Sequence, residues 1–152
     1  MADYVLERET IVPRPPAEVF AFFSEAGNLE KITPPWLSFR ILTPLPIRME
    51  RGTNIAYELR LRGLRLRWLT RIEQWNPPHE FVDVQVKGPY KLWRHTHRFA
   101  EVEGGTRVTD RIQYALPFGP VGRLGHWLVA RDLAKIFDYR ERRVRSLLEK
   151  QP

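Results

Sequence analysis

His95 and His97 stand one residue apart, a short stretch before Asp110 and Tyr114. Side chains of these types can move protons, hold a metal or orient a ligand. In an extended strand alternate residues share a face, so the imidazoles of His95-x-His97 project to one side. With Asp110 on a neighbouring strand they form a two-histidine, one-carboxylate set of the kind that binds transition metals. Acid–base catalysis would use the same groups differently. Asp110 or a histidine, His97 foremost, would remove a proton alpha to a carbonyl while Tyr114 stabilised the oxyanion. A buried hydrogen-bonded network with no ligand is a third reading. The residue types are best accounted for by a fourth, in which these polar groups orient a ligand within an otherwise apolar pocket. Tyr57, Trp68, Trp93 and Phe99 join His95, His97, Asp110 and Tyr114 as its expected lining. No metal and no other cofactor is expected. The sequence contains no nucleophile elbow, phosphate-cradling glycine loop or dinucleotide fingerprint, so hydrolase, kinase and dehydrogenase chemistry have no support.

These residues must be positioned by strands. From about Ser38 to Leu116 six runs alternate with period two (38–43, 53–62, 65–75, 80–87, 91–102 and 106–116), with Gly/Pro turns between them and no intervening helix, which implies an antiparallel meander. A two-residue loop at Gly104-Gly105 would pair Phe99 with Asp110, His97 with Ile112, His95 with Tyr114 and Trp93 with Leu116. One face then carries Trp93, His95, His97, Phe99, Val108, Asp110, Ile112, Tyr114 and Leu116. The other carries Arg94, Arg98, Arg107 and Arg111. Burying four arginines would cost several kcal/mol each, so the aromatic face is the inner one. A Gly63-Leu64 loop likewise pairs Leu59 with Trp68 and Tyr57 with Thr70, leaving Arg60, Arg62, Arg65, Arg67 and Arg71 outside. For 80–87 the parity is open: a two-residue loop at Gly88-Pro89 turns Val82, Val84 and Val86 inward, whereas an odd loop turns Asp83 and Gln85 inward.

Residues 3–12 read as a first strand, with Tyr4, Leu6 and Ile11 as its apolar members. After Pro15-Pro16, the spacing of Val19, Phe20, Phe23, Leu29 and Ile32 around Gly27 predicts two short helices. From Val121 to about Glu149 a stripe of Val121, Leu124, Leu128, Leu133, Ile136, Phe137, Val144, Leu147 and Leu148 predicts one helix of roughly 43 Å.

At 152 residues the chain suits one α+β domain covering its whole length. It has no cysteine, which excludes disulfides and thiolate chemistry. The N-terminus is charged, without the apolar run of a signal peptide, and no segment approaches the ~20 apolar residues that span a bilayer; a cytoplasmic location is the expectation. The formal charge is +7, and twenty of the 25 basic residues are arginine. The exposed arginines between 60 and 71 suit counterions or transient contact with an acidic membrane surface. They lack the interleaved aromatics that stack nucleic-acid bases, so no nucleic-acid partner is expected.

The order of strand, two short helices, six strands and long helix resembles the SRPBCC superfamily, the helix-grip domains that include START-like lipid-binding proteins and polyketide cyclases. The stretches ITPPWLSFRI (32–41), GPYKLWRHTHRF (88–99) and GTRVTDRIQYALPFGPVG (105–122) are similar to a bacterial ligand-binding branch of it. The resemblance implies a curved seven-stranded antiparallel sheet wrapped around a long C-terminal helix, with a cavity between them entered near the proline loops. It implies carriage or sensing of a small hydrophobic molecule such as a lipid or polyketide, or a polyketide cyclase/dehydratase reaction in the same cavity.

Overall fold

Seven antiparallel strands form one open sheet in the order β1-β7-β6-β5-β4-β3-β2 in the computed structural model, which describes residues 2–149. The strands are β1 (Tyr4–Val12), β2 (Arg40–Ile41), β3 (Asn54–Leu61), β4 (Leu64–Asn76), β5 (Glu80–Lys87), β6 (Leu92–Val102) and β7 (Gly105–Ala115). Helices α1 (Pro16–Ser24) and α2 (Asn28–Lys31) follow β1, and α3 (Gly119–Leu124) and α4 (His126–Leu147) follow β7. Proline at the first position starts α1, where a missing N–H costs nothing, and the helix buries Val19, Phe20 and Phe23. Two register shifts in the β4–β5 pairing, near Leu69 and Ile72, supply the bulges that bend a sheet around a helix.

The inner face of the β6–β7 hairpin carries the residues expected of it, but the register differs by two. Trp93 pairs with Tyr114, His95 with Ile112, His97 with Asp110 and Phe99 with Val108. The loop is Glu103-Gly104, with Gly104 at φ +83°. Gly105 belongs to the strand, where it pairs with Val102; a Cβ there would lie 1.9 Å from the Val12 carbonyl oxygen, which keeps the position glycine. The β3–β4 hairpin behaves alike: Arg62 and Gly63 both take positive φ, the requirement of a tight two-residue turn, so Tyr57 pairs with Trp68 and Leu59 with Leu66. Because both shifts are even, sidedness is unchanged. Ile11 is exposed, and Thr10 and Val12 are the buried members of that end of β1.

The open question of β5 resolves in favour of Asp83. It pairs with His95, and Phe81 pairs with His97, so Phe81, Asp83 and Gln85 lie on the inner face. The loop after β5 is held by Gln85 itself, whose side chain donates to the Tyr90 carbonyl at 2.7 Å and accepts from the Tyr90 N–H at 3.0 Å.

The single long helix expected from Val121 is two helices meeting at Gly125. Gly122 and Gly125 each weaken a helix by about 1 kcal/mol relative to alanine, and Phe118 enters α3 in the left-handed region at φ 68°. At 1.5 Å per residue α4 is roughly 33 Å long. The break turns Val121 and Leu124 away from the core; with Phe118 and Trp127 they form an exposed apolar row, and Leu147 is exposed at the far end. The face of α4 that is buried consists of Leu133, Phe137, Arg140 and Val144.

Candidate functional site

Two apolar clusters fill the space between sheet and helices. One centres on Phe20, Phe23, Phe81 and Phe99, packed with Val144 and Leu148; the other gathers Tyr57, Trp68, Trp93, Tyr114, Leu133 and Phe137. At their junction lies a buried polar group built from four elements. Strand β6 supplies His95 and His97, whose rings stack at 3.7 Å. Asp83 comes from β5, Asp110 from β7 and Arg140 from α4. His97 also stacks on Phe81 at 4.0 Å, and the Arg140 guanidinium lies over the Phe23 ring, so apolar surface surrounds the polar atoms.

The hydrogen bonds fix most of the protons. Arg140 donates to Asp110 through Nη2 at 3.1 Å and Nε at 3.3 Å, and His95 Nε2–H donates to the same carboxylate at 2.8 Å. An ionised carboxylate only accepts, so His97 Nε2 carries a proton and donates it to Asp83 Oδ2 at 2.6 Å; its Nδ1 lies 3.5 Å from both Arg140 Nη2 and Asp110 Oδ1. Burial is the main cause that pushes His97 down, to about 4, reinforced by the adjacent His95. Burial alone would raise Asp110, but Arg140 and the His95 hydrogen bond hold it far below the ordinary carboxylate range. Asp83 is likewise lowered: the hydrogen bond from His97 and the nearby positive charge outweigh its burial. Burial, then the charge of Asp83, pushes the Tyr57 phenol up.

Beside this group opens a cavity of about 210 Å³. Its walls include Tyr57, Trp68, Trp93 and Tyr90 from the sheet side and Leu133, Ile136 and Phe137 from α4; Asp83, His95, His97 and Arg140 form its polar end. Leu37, Leu61 and Ile136 also line an outer groove between the tip of the β3–β4 hairpin and α4. Arg62 and Asp132 bridge that groove, with bonds of 3.1 and 2.9 Å.

Of the residues singled out in the sequence, Tyr57, Trp68, Trp93, His95 and His97 border the cavity. Asp110 stands behind the histidines, fully engaged by Arg140 and His95. Phe99 is sealed in the first apolar cluster. Tyr114 lies at the opposite end, its hydroxyl 2.9 Å from His126 Nε2, where the His126 ring stacks on Tyr4 at 3.5 Å. Tyr114 is therefore apart from the His97–Asp110 pair with which an oxyanion role would group it. The sequence reading missed Arg140, although its place three residues after Phe137 and four before Val144 puts it on the buried stripe. It left Asp83 open. Asp83, His95 and His97 offer ligand atoms within 4.8 Å of one another, the best set among the described residues for a metal. The fixed charge of Arg140 against His97 opposes a cation there.

A seven-stranded sheet gripping a C-terminal helix, with a cavity between the two, defines a helix-grip protein. The family model for polyketide cyclase / dehydrase and lipid transport proteins matches residues 12–138, and the chain belongs to that family. Membership supports hydrophobic-ligand binding in general. Among solved structures, the chain is similar to CV1439 from Chromobacterium violaceum (TM-score 0.74, 12% identity, 97% of this chain and 99% of that one). It is also similar to TTHA0849 from Thermus thermophilus (TM-score 0.67, 23% identity, 93% and 97%), and to Ara h 8.0201 (TM-score 0.63, 17% identity, 94% and 98%). At these identities the likeness is one of fold. No curated protein matches the chain in sequence. No helix among the described residues is long and apolar enough to cross a membrane.

Proposed function

We propose that this protein is a carrier or sensor that holds a small, largely apolar molecule in the cavity between α4 and the sheet. The observation that carries this reading is the cavity's composition: aliphatic and aromatic walls with one buried polar end, the arrangement that gives a ligand both burial and orientation. The ligand-facing polar groups are Asp83, His97, His95 and Arg140, and Asp110 holds Arg140 and His95 in place. Native mass spectrometry of protein purified from its own host, with extraction of the bound material, tests the reading. A small apolar molecule at near-stoichiometric occupancy supports it; protein that is empty and takes up no apolar compound refutes it.

The Asp83–His97 hydrogen bond on the cavity wall favours one second reading, a cyclase or dehydratase using this pair as acid and base. Efficient general bases titrate near the working pH, and both groups are held well below it, so binding is the better-supported function. If turnover exists, Asp83→Asn removes it while ligand affinity stays within about tenfold. The exposed arginines of the β3–β4 hairpin and the apolar row at Phe118, Val121, Leu124 and Trp127 suit transient contact with an acidic membrane. Co-sedimentation with phosphatidylserine vesicles at low salt tests that contact, and its absence there rejects it.

A further inference from the structure

Two carboxylates belong to the buried polar group, and donors reach them unequally. Asp110 takes both Arg140 bonds and the His95 bond. Asp83 has one short donor, His97 Nε2 at 2.6 Å. Its other oxygen, Oδ1, lies 3.4 Å from the Thr70 hydroxyl. That hydroxyl has a single proton and stands closer to the Val84 carbonyl, at 3.0 Å. No further donor reaches the Asp83 carboxylate among the described residues. An ionised carboxylate accepts at about four sites, and a charge held between sheet and helix is ordinarily paired. Asp83 is ionised, because the His97 hydrogen bond and nearby positive charge lower it against its burial. The one guanidinium in the group, Arg140, is bound to Asp110 and meets His97 on the Nδ1 side, whereas Asp83 is on the Nε2 side. With the imidazoles neutral, the group therefore carries one negative charge in excess, and that charge resides on Asp83.

The excess charge is open to the cavity. Asp83 lies on the inner face of β5 between Ile72 of β4 and His95 of β6, and it forms part of the cavity wall. Its side chain keeps 15% of its surface accessible, against 7–11% for His95, His97, Asp110 and Arg140. Both strand neighbours are buried, so this surface opens toward the cavity and not toward bulk solvent. A donor that approaches Asp83 alone needs no imidazole nitrogen. The opposition of Arg140 to a metal at His97 does not extend to it, since Asp110 offsets the guanidinium.

We infer that the ligand carries a protonated amine or similar cationic donor at one end of its apolar body, that Asp83 receives it, and that the cavity selects against carboxylates. This rests on the reading of the cavity as a ligand site and names the charge that site selects. The selection runs against the overall field of the protein: a net charge of +7 attracts anions, so a preference for a cation isolates the local effect. Octylamine, 1-octanol and octanoate share one chain length and differ in the end group. At about pH 8 the amine is positive and octanoate negative. Isothermal titration calorimetry of the wild-type protein should place octylamine on the order of tenfold tighter than octanol, with octanoate weakest. In Asp83→Asn the advantage of the amine falls to within about twofold, while octanol affinity stays within about threefold of wild type. An amine no tighter than the alcohol, octanoate as tight as the amine, or an amine advantage that survives Asp83→Asn overturns the inference and leaves the cavity reading standing. Failure of all three compounds to bind contradicts both. Should Asp83→Asn not fold, the order of the three compounds in the wild-type protein decides.

Discussion

Arg140 is the residue whose replacement discriminates most sharply between a buried polar network that matters and one that is incidental. Arg140 and Asp110 are 7% and 8% exposed, and the carboxylate takes two of its donors from the guanidinium. Arg140→Met keeps the length and packing of the side chain but leaves Asp110 with His95 as its donor in a low-dielectric site. Breaking one partner of such a pair costs about 3–5 kcal/mol, a large share of a typical total of roughly 5–15 kcal/mol. For a domain of this size the melting temperature falls by roughly 10 °C. Replacing both partners, Arg140→Met with Asp110→Asn, removes the stranded charge and recovers most of the loss, so a double-mutant cycle in urea yields a coupling of about 2 kcal/mol or more. An Arg140→Met protein within about 1 kcal/mol of wild type, or a double variant no more stable than the sum of the singles implies, would refute the reasoning.

Two further outcomes follow from the same geometry. His97 is pushed from 6.5 to about 4 in the folded protein; between these values the unfolded chain binds a proton that the folded chain does not. Stability is therefore lost as pH falls from about 6.5 to about 4, by roughly 3 kcal/mol for His97; Asp83 and Asp110, also lowered, act with the same sign at the acid end. Urea midpoints against pH should show this slope, and His97→Gln should flatten it. Phe99 is sealed whereas Phe137 borders the cavity, so Phe99→Ala costs about 3–5 kcal/mol and Phe137→Ala about 2–3 kcal/mol, part of its surroundings being open already; equal losses in chemical denaturation would mean that no cavity adjoins α4.

Much of this architecture is legible in the residues because the chain states its sidedness twice. Arg94, Arg98, Arg107 and Arg111 oppose Trp93, Phe99, Val108 and Ile112 so strictly that the inner face of β6 and β7 follows without a structure. Register is less legible. Which two residues form a loop depends on backbone angles at Glu103, Gly104 and Arg62, and neighbouring glycines offer alternatives two residues apart that preserve sidedness. That offset places Tyr114 beside Trp93 and Asp110 beside His97, which rearranges the candidate site without moving any residue to the other face. Asp83 was open because the irregular loop at 88–91 hides the parity of β5. Arg140 escaped the reading because arginine on a helix is ordinarily solvated, and only the buried Asp110 across from it explains its inward position. The break at Gly125 was written in Gly122 and Gly125, but the apolar stripe running through them masked it.

The central claim, that the space between α4 and the sheet is a ligand site, is tested most directly by filling it. Ile136 lines both the cavity and the groove outside it, and Ile136→Trp puts the bulk of an indole at the cavity wall. Native mass spectrometry of wild-type and Ile136→Trp proteins, prepared identically from the same host, should show a small apolar molecule on the first and at least tenfold less on the second, with both proteins folded. Equal occupancy of the two proteins, or a wild-type protein that carries and accepts no ligand, would contradict the account.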